Sequence, residues 1–235
     1  MSSISSKTIP ILYEDDRLLV VYKPFGLLSH PDKKLKEPDL LTTLRSLRPK
    51  LAHVDIQVVT RLDFNTDGIV LISKNKAIQH LLQIANEEDN IKKYYQCVVV
   101  GYLPKSEDLL TGYLLKDEQS AVVRISPTEL PNTQIIQTGY KVLKEANGLS
   151  WIEVLLLTGR THQIRAHFAS IGHPLAGDPL YGNIVKNKQL GLKSQALSMT
   201  KLVFNFPDFA HPFHDLHQRV FERPHPFYET LLEKK

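Results

Sequence analysis

Within the stretch Val59-Thr60-Arg61-Leu62-Asp63-Phe64-Asn65-Thr66-Asp67-Gly68, an arginine and an aspartate stand two residues apart. Side chains two apart along a strand point the same way, so Arg61 and Asp63 face one space. A carboxylate at the mouth of a sheet is a candidate nucleophile or general base. The same residue can instead cap a turn and pair with its neighbouring arginine. The apolar runs on either side, residues 56–59 and 69–72, predict buried strands, with Asn65, Asp67 and Gly68 supplying the turn between them.

A second segment, Leu157-Thr158-Gly159-Arg160-Thr161-His162-Gln163-Ile164-Arg165-Ala166-His167-Phe168-Ala169, passes from a predicted strand through a glycine turn into a helix. It is followed by Gly172-His173-Pro174-Leu175-Ala176-Gly177-Asp178-Pro179-Leu180-Tyr181-Gly182. Residues 159–173 hold two arginines, three histidines and no acid. Such a cationic, donor-rich surface beside a helix start, where unpaired backbone amides also favour anions, suits phosphate. Scattered histidines such as His162 and His167 more commonly lie half buried on a helix face.

Two other features compete for chemistry. His211, His214 and His217, spaced by three, could ligate a transition metal, which makes a metal-dependent hydrolase the rival enzyme class. Without a paired acidic cluster or a clear helix, the run reads as polar surface and no metal is expected there. The single cysteine, Cys97, excludes an internal disulfide, a multi-cysteine zinc site and the ligand set of a zinc base deaminase. It lies in the apolar run 96–100, where a buried inert thiol is expected.

The elements that must position these residues are legible in outline. Residues 11–22 read as a strand pair with a tight turn at Glu14-Asp15-Asp16, ended by the Lys23-Pro24-Phe25-Gly26 turn. Residues 30–38, charged and with two prolines, read as a mobile loop. Asp39 offers an N-cap to a short helix carrying Leu40, Leu41, Leu44 and Leu47 at helical spacing. A second helix is predicted over residues 75–88, with Ile78, Leu81, Leu82 and Ala85 on one face. Strands are predicted at 94–100, 120–125, 139–143, 151–157 and 196–206, a helix at 161–170, and loops at 104–118, 127–138 and 183–195. Many short strands with few helices imply an α+β fold with a mixed or largely antiparallel sheet.

At 235 residues the chain suits one domain or one core with two lobes. A formal charge of +4 is too small to argue nucleic-acid binding by itself, so any such argument has to come from local clustering. The first six residues carry no secretory pattern, and the longest apolar runs fall short of a membrane span, so no membrane partner and a cytoplasmic location are expected.

Five motifs in order carry a resemblance. Lys23-Pro24-x-Gly26 after Tyr13-Glu14-Asp15-Asp16-x-Leu18-Leu19-Val20-Val21, Arg61-Leu62-Asp63 with Thr66-x-Gly68, Lys93-x-Tyr95-x-Cys97-x-Val99-x-Gly101, Gly159-Arg160-Thr161-His162-Gln163-Ile164-Arg165-x-His167, and Gly177-Asp178-x-x-Tyr181-Gly182 together resemble the RluA-type family of RNA pseudouridine synthases. The resemblance implies the pseudouridine synthase fold, a mixed, largely antiparallel sheet with flanking helices and a central active-site cleft. It implies a tail at residues 1–10 and a catalytic domain at 11–230 that leaves no room for the separate N-terminal RNA-binding domain of longer members. The expected activity is isomerisation of specific uridines in ribosomal or transfer RNA, without cofactor, by a monomer that needs no protein partner. A non-catalytic RNA-binding protein on the same scaffold is the alternative.

Residue by residue, the resemblance makes Asp63 the catalytic carboxylate, Arg165 the cation that pairs with it, and Tyr95 the aromatic against the target base. Ile164 becomes an apolar pocket wall and Arg61 the residue that enters the space of the extruded base or holds a phosphate. Lys23, Arg160, His162 and His167 are further candidates for contacts to the RNA backbone. A carboxylate can serve this reaction by covalent attack or by assisting proton loss and stabilising a cationic sugar. The chain departs from the family at Thr60, where His is usual, and at Asp67, where Ser is usual; Asp67 adds a negative charge near the site.

Overall fold

The computed structural model describes residues 8–32, 37–116, 122–223 and 227–233. Among these residues are eleven strands and five α-helices, and the fold is α+β with a mixed, largely antiparallel sheet. The chain divides into two compact units, Met1–Ile91 with Lys201–Arg223, and Lys92–Thr200 with Pro224–Lys235.

In the first unit the opening turn forms because one side chain satisfies it. The Asp15 carboxylate accepts from the backbone N–H of Arg17 (2.7 Å) and of Leu18 (2.8 Å), folding β1 (Ile11–Glu14) back on β2 (Leu18–Lys23). Asp39 caps α1 (Leu40–Leu47) through Thr42 N–H at 2.9 Å. The short strand β3 (Gln57–Val58) and the long strand β4 (Asp67–Ser73) follow; β4 pairs antiparallel with all of β2 through residues 68–73, placing Lys23 opposite Gly68. Residues 18–21 and 69–72 are fully buried, as continuous apolar runs require when both faces of a strand are covered. Each such Leu, Ile or Val contributes roughly 1.5–3 kcal/mol. Asn75 caps α2 (Lys76–Glu87), which turns Leu82 and Ala85 inward while Leu81 stays exposed.

The second unit is built on β5 (Ile91–Val100), β6 (Glu107–Lys116), β7 (Val123–Ser126), β8 (Thr133–Ala146) and β9 (Leu149–Leu156), hydrogen-bonded in the order β5-β9-β8-β6-β7. Helix α3 (Gln163–Ser170) follows β9, and α4 (Ile184–Leu190) lies between it and β10 (Leu197–Phe204), whose residues from Lys201 onward belong to the first unit. There β11 (Val220–Glu222) pairs with β10, and α5 (Phe227–Glu233) closes the second unit's core, where Tyr228, Leu231 and Leu232 meet Val98, Leu149 and Ala176.

Four expectations are corrected. Asp67 and Gly68 already belong to β4, and the turn is made by residues 63–66 instead. The polar segment 104–118 contains β6, which lacks an apolar alternation because most of its side chains stay partly or fully exposed; its backbone ladder to β8 holds it. The segment 127–138 contains the start of β8, again through that ladder. The segment 183–195 contains α4, capped by Asn183 through Lys186 N–H and ended by Gly191 in the left-handed region at φ 68°. Residues 33–36 of the expected loop, and 117–121 at the start of the expected strand 120–125, lie outside the described residues.

Candidate active site

Asp63 sits on a loop whose backbone is fixed from three directions. The Leu62 N–H donates to Ser29 Oγ at 2.9 Å, and Ser29 Oγ donates to the Leu62 carbonyl at 2.7 Å. Thr66 N–H donates to the Asp63 carbonyl at 3.1 Å, closing a turn, and Gly26 N–H donates to the Phe64 carbonyl at 3.0 Å. Gly26 has φ 67°, so the Lys23-Pro24-Phe25-Gly26 turn needs glycine there to dock on the Asp63 turn. Asp63 is half-buried and Arg61 exposed, on a loop between β3 and β4 and not at a strand end, so strand alternation does not set their directions. Ser29 is the member of this arrangement that the sequence did not single out. It carries no motif signal, only a hydroxyl at the start of a loop.

The two departures from the family pattern have structural roles. Thr60 Oγ1 accepts from Leu71 N–H at 2.9 Å, completing the edge of β4. The buried Asp67 carboxylate accepts the Tyr22 hydroxyl at 2.5 Å, so its charge is shared by a hydrogen bond at the strand start. Lys23, expected to reach RNA phosphates, is fully buried: its ammonium donates to the carbonyls of Leu27 (2.8 Å) and Pro24 (3.2 Å). A buried cation needs such acceptors, and here it holds the turn that carries Gly26.

In the second unit Arg165 is a buried cation held by two hydrogen bonds. Its Nε and Nη2 donate to the two oxygens of Asp178 at 2.7 and 2.9 Å, a side-on fork with both side chains buried. Burial pushes the Asp178 carboxyl up. The Arg165 guanidinium, with the Tyr181 and Leu180 amides, outweighs it and holds the carboxyl below its ordinary range. The Arg165 guanidinium also lies over the Tyr181 ring at 5.3 Å. Asp178 is in turn fixed by backbone crowding: a Cβ on Gly182 would meet the Asp178 carbonyl at 2.3 Å, and one on Gly177 would meet the Ser194 carbonyl at 2.1 Å. The Gly177-Asp178-x-x-Tyr181-Gly182 motif is thus the seat of Arg165. Its sequence signal was visible; its partner, thirteen residues away, was not.

Gln163 organises the turn before α3. Its Oε1 accepts from Thr158 Oγ1 (2.9 Å) and from Arg160 N–H (3.1 Å), while its Nε2 donates to the Gln137 carbonyl (3.0 Å) and Thr138 Oγ1 (3.1 Å). This presents Arg160 to solvent. His162, at φ 55°, stands edge-on to the Tyr181 ring with Nδ1 3.1 Å from its hydroxyl; a non-glycine residue in that region is uncommon and strained. Ile164 is buried on α3, and Tyr95 is 6% exposed on β5, opposite Val154 of β9. Asp63 and Arg61 belong to the first unit, and Tyr95, Ile164, Arg165, Arg160 and His162 to the second.

The acid-free segment 159–173 is not one cationic surface. Arg165 and His167 are buried, and only Arg160 is exposed among its charged side chains. Thr138 Oγ1, which accepts from Gln163 Nε2, lies 2.9 Å from His167 Nδ1. His167 is thus a core residue rather than a backbone contact. Burial pushes its pKa down to about 4. The unfolded chain, with a pKa near ~6.5, binds the extra proton throughout the window between these values, so stability falls as pH drops through it and is complete above it. The loss is on the order of 3 kcal/mol. In urea titrations at pH 7, 5.5 and 4.5, wild type should lose stability stepwise, and His167→Gln should show a flatter profile over the same range. Parallel profiles would remove His167 as the cause.

The C-terminal histidines serve packing. His211 stacks on Phe206 at 4.4 Å and its Nδ1 accepts from Phe213 N–H; His214 Nδ1 lies 2.9 Å from the Phe206 carbonyl. Among the described residues no group of three His, Cys, Asp or Glu side chains is arranged to hold a metal ion. Cys97 is fully buried and burial pushes its thiol up, as an inert core position requires.

Residues 17–170 match the RNA pseudouridylate synthase family, which therefore takes in both the Asp63 loop and the start of α3. The chain belongs to that family. It is 34% identical over 200 residues to a ribosomal large subunit pseudouridine synthase C of Vibrio parahaemolyticus, covering 84% of this chain and 61% of that protein. It is 36% identical over 186 residues to a ribosomal large subunit pseudouridine synthase D of Nitrosomonas europaea, covering 77% and 52%. The chain thus spans less than two thirds of the length of these curated relatives. Among solved structures, human RNA pseudouridylate synthase domain containing 1 superposes with a TM-score of 0.77 at 23% identity, covering 98% of this chain and 89% of that one. No helix among the described residues is long and apolar enough to cross a membrane.

Proposed function

We propose that this protein isomerises uridine to pseudouridine in large-subunit ribosomal RNA, with Asp63 as the reacting carboxylate. The observation that carries the reading is the Asp63 loop, held at Leu62, Asp63 and Phe64 by hydrogen bonds from inside the family-matched segment and from the Lys23–Gly26 turn. Such fixation is what a catalytic carboxylate needs and a solvated turn does not. Tyr95 supplies an aromatic face for the base, Ile164 an apolar wall, and Arg165 the cation of the site. Arg61, Arg160 and His162 contact the RNA. The ribosomal assignment rests on the names of the relatives; the reaction proceeds in the cytoplasm, on a monomer, within residues 11–230.

The reaction breaks the bond from ribose carbon 1′ to uracil nitrogen 1, forms one from carbon 1′ to carbon 5, and releases the carbon 5 hydrogen to solvent as a proton while nitrogen 1 takes one up. Purified protein should therefore release tritium from uridine labelled at carbon 5. It should do so from large-subunit ribosomal RNA in preference to transfer RNA, and undiminished by excess chelator. Preference for transfer RNA would overturn the substrate, loss of turnover restored by zinc would overturn the cofactor-free chemistry, and binding without tritium release would leave an RNA-binding protein.

A further inference from the structure

Three arginines of the first unit hold their guanidinium carbon over an aromatic ring, and they differ in what balances their charge. Arg17 lies over Phe213 at 5.4 Å and is bridged to Asp15 (2.9 Å) and Asp215 (2.5 Å). Arg219 lies over Tyr13 at 4.2 Å and Arg223 over Tyr22 at 4.1 Å. Both are exposed, and among the described residues neither is bridged to a carboxylate. The acids hydrogen-bonded to the two tyrosines are already engaged: the Tyr13 hydroxyl donates to Asp15, which Arg17 holds, and the Tyr22 hydroxyl donates to Asp67.

The two arginines flank β11 and alternate with its outer residues. Phe221, between them, turns inward onto Tyr13 at 5.5 Å, while Glu222 is paired in register with Lys201 and by alternation points the other way. Four residues of extended chain separate their Cα atoms by about 13 Å. A guanidinium whose face rests on a ring still presents its N–H edge outward, in the fork that fits phosphate. Stacking also restricts its rotamers beforehand, so less entropy is lost on binding. A single exposed Arg–Tyr stack is a common packing contact. Two on the same side of one strand, both without an acid, and one resting on the tyrosine that binds Asp67, form a row leading to the β4 start next to the Asp63 turn.

We propose that Arg219 and Arg223 form a phosphate-binding strip for the RNA strand that flanks the target uridine. This rests on the proposed RNA substrate and extends its binding surface to the strand that closes the first unit. The probe is a short fluorescein-labelled oligouridylate titrated at several potassium chloride concentrations. Arg219→Gln with Arg223→Gln keeps the aliphatic stems on the rings and removes both charges. It should weaken binding on the order of tenfold at ~0.1 M salt and lower the slope of log affinity against log salt by about 1.4, each single variant by about 0.7. Arg219→Lys with Arg223→Lys should restore the slope. An unchanged slope in the Gln pair, with wild-type circular dichroism and melting midpoint, overturns the strip, as does a slope that Lys fails to restore. Should the Gln pair unfold, the single variants carry the same test. Tritium release by wild type is followed in parallel. Its absence with an altered slope refutes the isomerase and leaves the strip standing, whereas normal release with an unaltered slope refutes the strip alone.

Discussion

Asp63→Asn is expected to fold and bind RNA as wild type does, and to lose at least about 10³-fold in isomerisation rate, roughly 4 kcal/mol of barrier. The structure separates the two roles of this residue. The turn is closed through the Asp63 backbone carbonyl, and the preceding residue is held by Ser29. Asparagine is nearly isosteric, so that backbone arrangement should survive. It has no negative charge and is a poor nucleophile, so neither covalent attack nor proton abstraction should survive. Single-turnover tritium release, with circular dichroism and an RNA-binding titration on the same sample, reads all three properties. Wild-type turnover would exclude the whole mechanism proposed for Asp63, and a variant that does not fold would return the residue to a turn role.

Asp178→Asn should cost on the order of 3–5 kcal/mol of stability at pH 7, because it breaks a buried ion pair from one side. Asparagine can still accept from the Leu180 and Tyr181 amides, but it offers Arg165 one oxygen where the fork uses two. The pH dependence follows from the depressed carboxyl. Its folded pKa lies below its unfolded one, so the unfolded state binds more protons in between. The stabilisation is complete above ~3.9 and is lost as pH falls through the folded value. The gap between wild type and variant, measured by urea unfolding, should therefore be wide at neutral pH and narrow below ~pH 4. A gap that stays constant into strong acid would mean that Asp178 contributes by packing and not by its charge. Turnover should fall with the same substitution, since Arg165 would no longer be held in one direction.

Local signals carried much of the fold. The Asp15 turn, the Asp39 and Asn75 caps and the apolar runs at 18–21 and 69–72 all appear where their chemistry required them, because each is settled by residues within a few positions. β6 escaped notice because its polar, glycine-containing stretch is a strand only through its ladder to β8. α4 carried both an Asn183 cap and a Gly191 stop, yet with Ile184 and Val185 exposed it shows no apolar face to mark it.

The site divides in the same way. The sequence by itself determined that this is an RNA pseudouridylate synthase family member and which motifs carry it, since those depend on residue identity and short spacing. Only the tertiary structure decided which charges meet solvent. Lys23 and His167 read as candidates for contacts to the RNA backbone and are buried, on the Leu27 and Pro24 carbonyls and beside Thr138, and Arg165 is buried in a fork with Asp178, partners that sequence spacing could not assign. Arg219 and Arg223 carried no signal at all and stand exposed on Tyr13 and Tyr22. Burial and pairing are properties of packing between segments far apart in the chain, and a charge acquires its role only when that packing removes water from one side of it or leaves water in place.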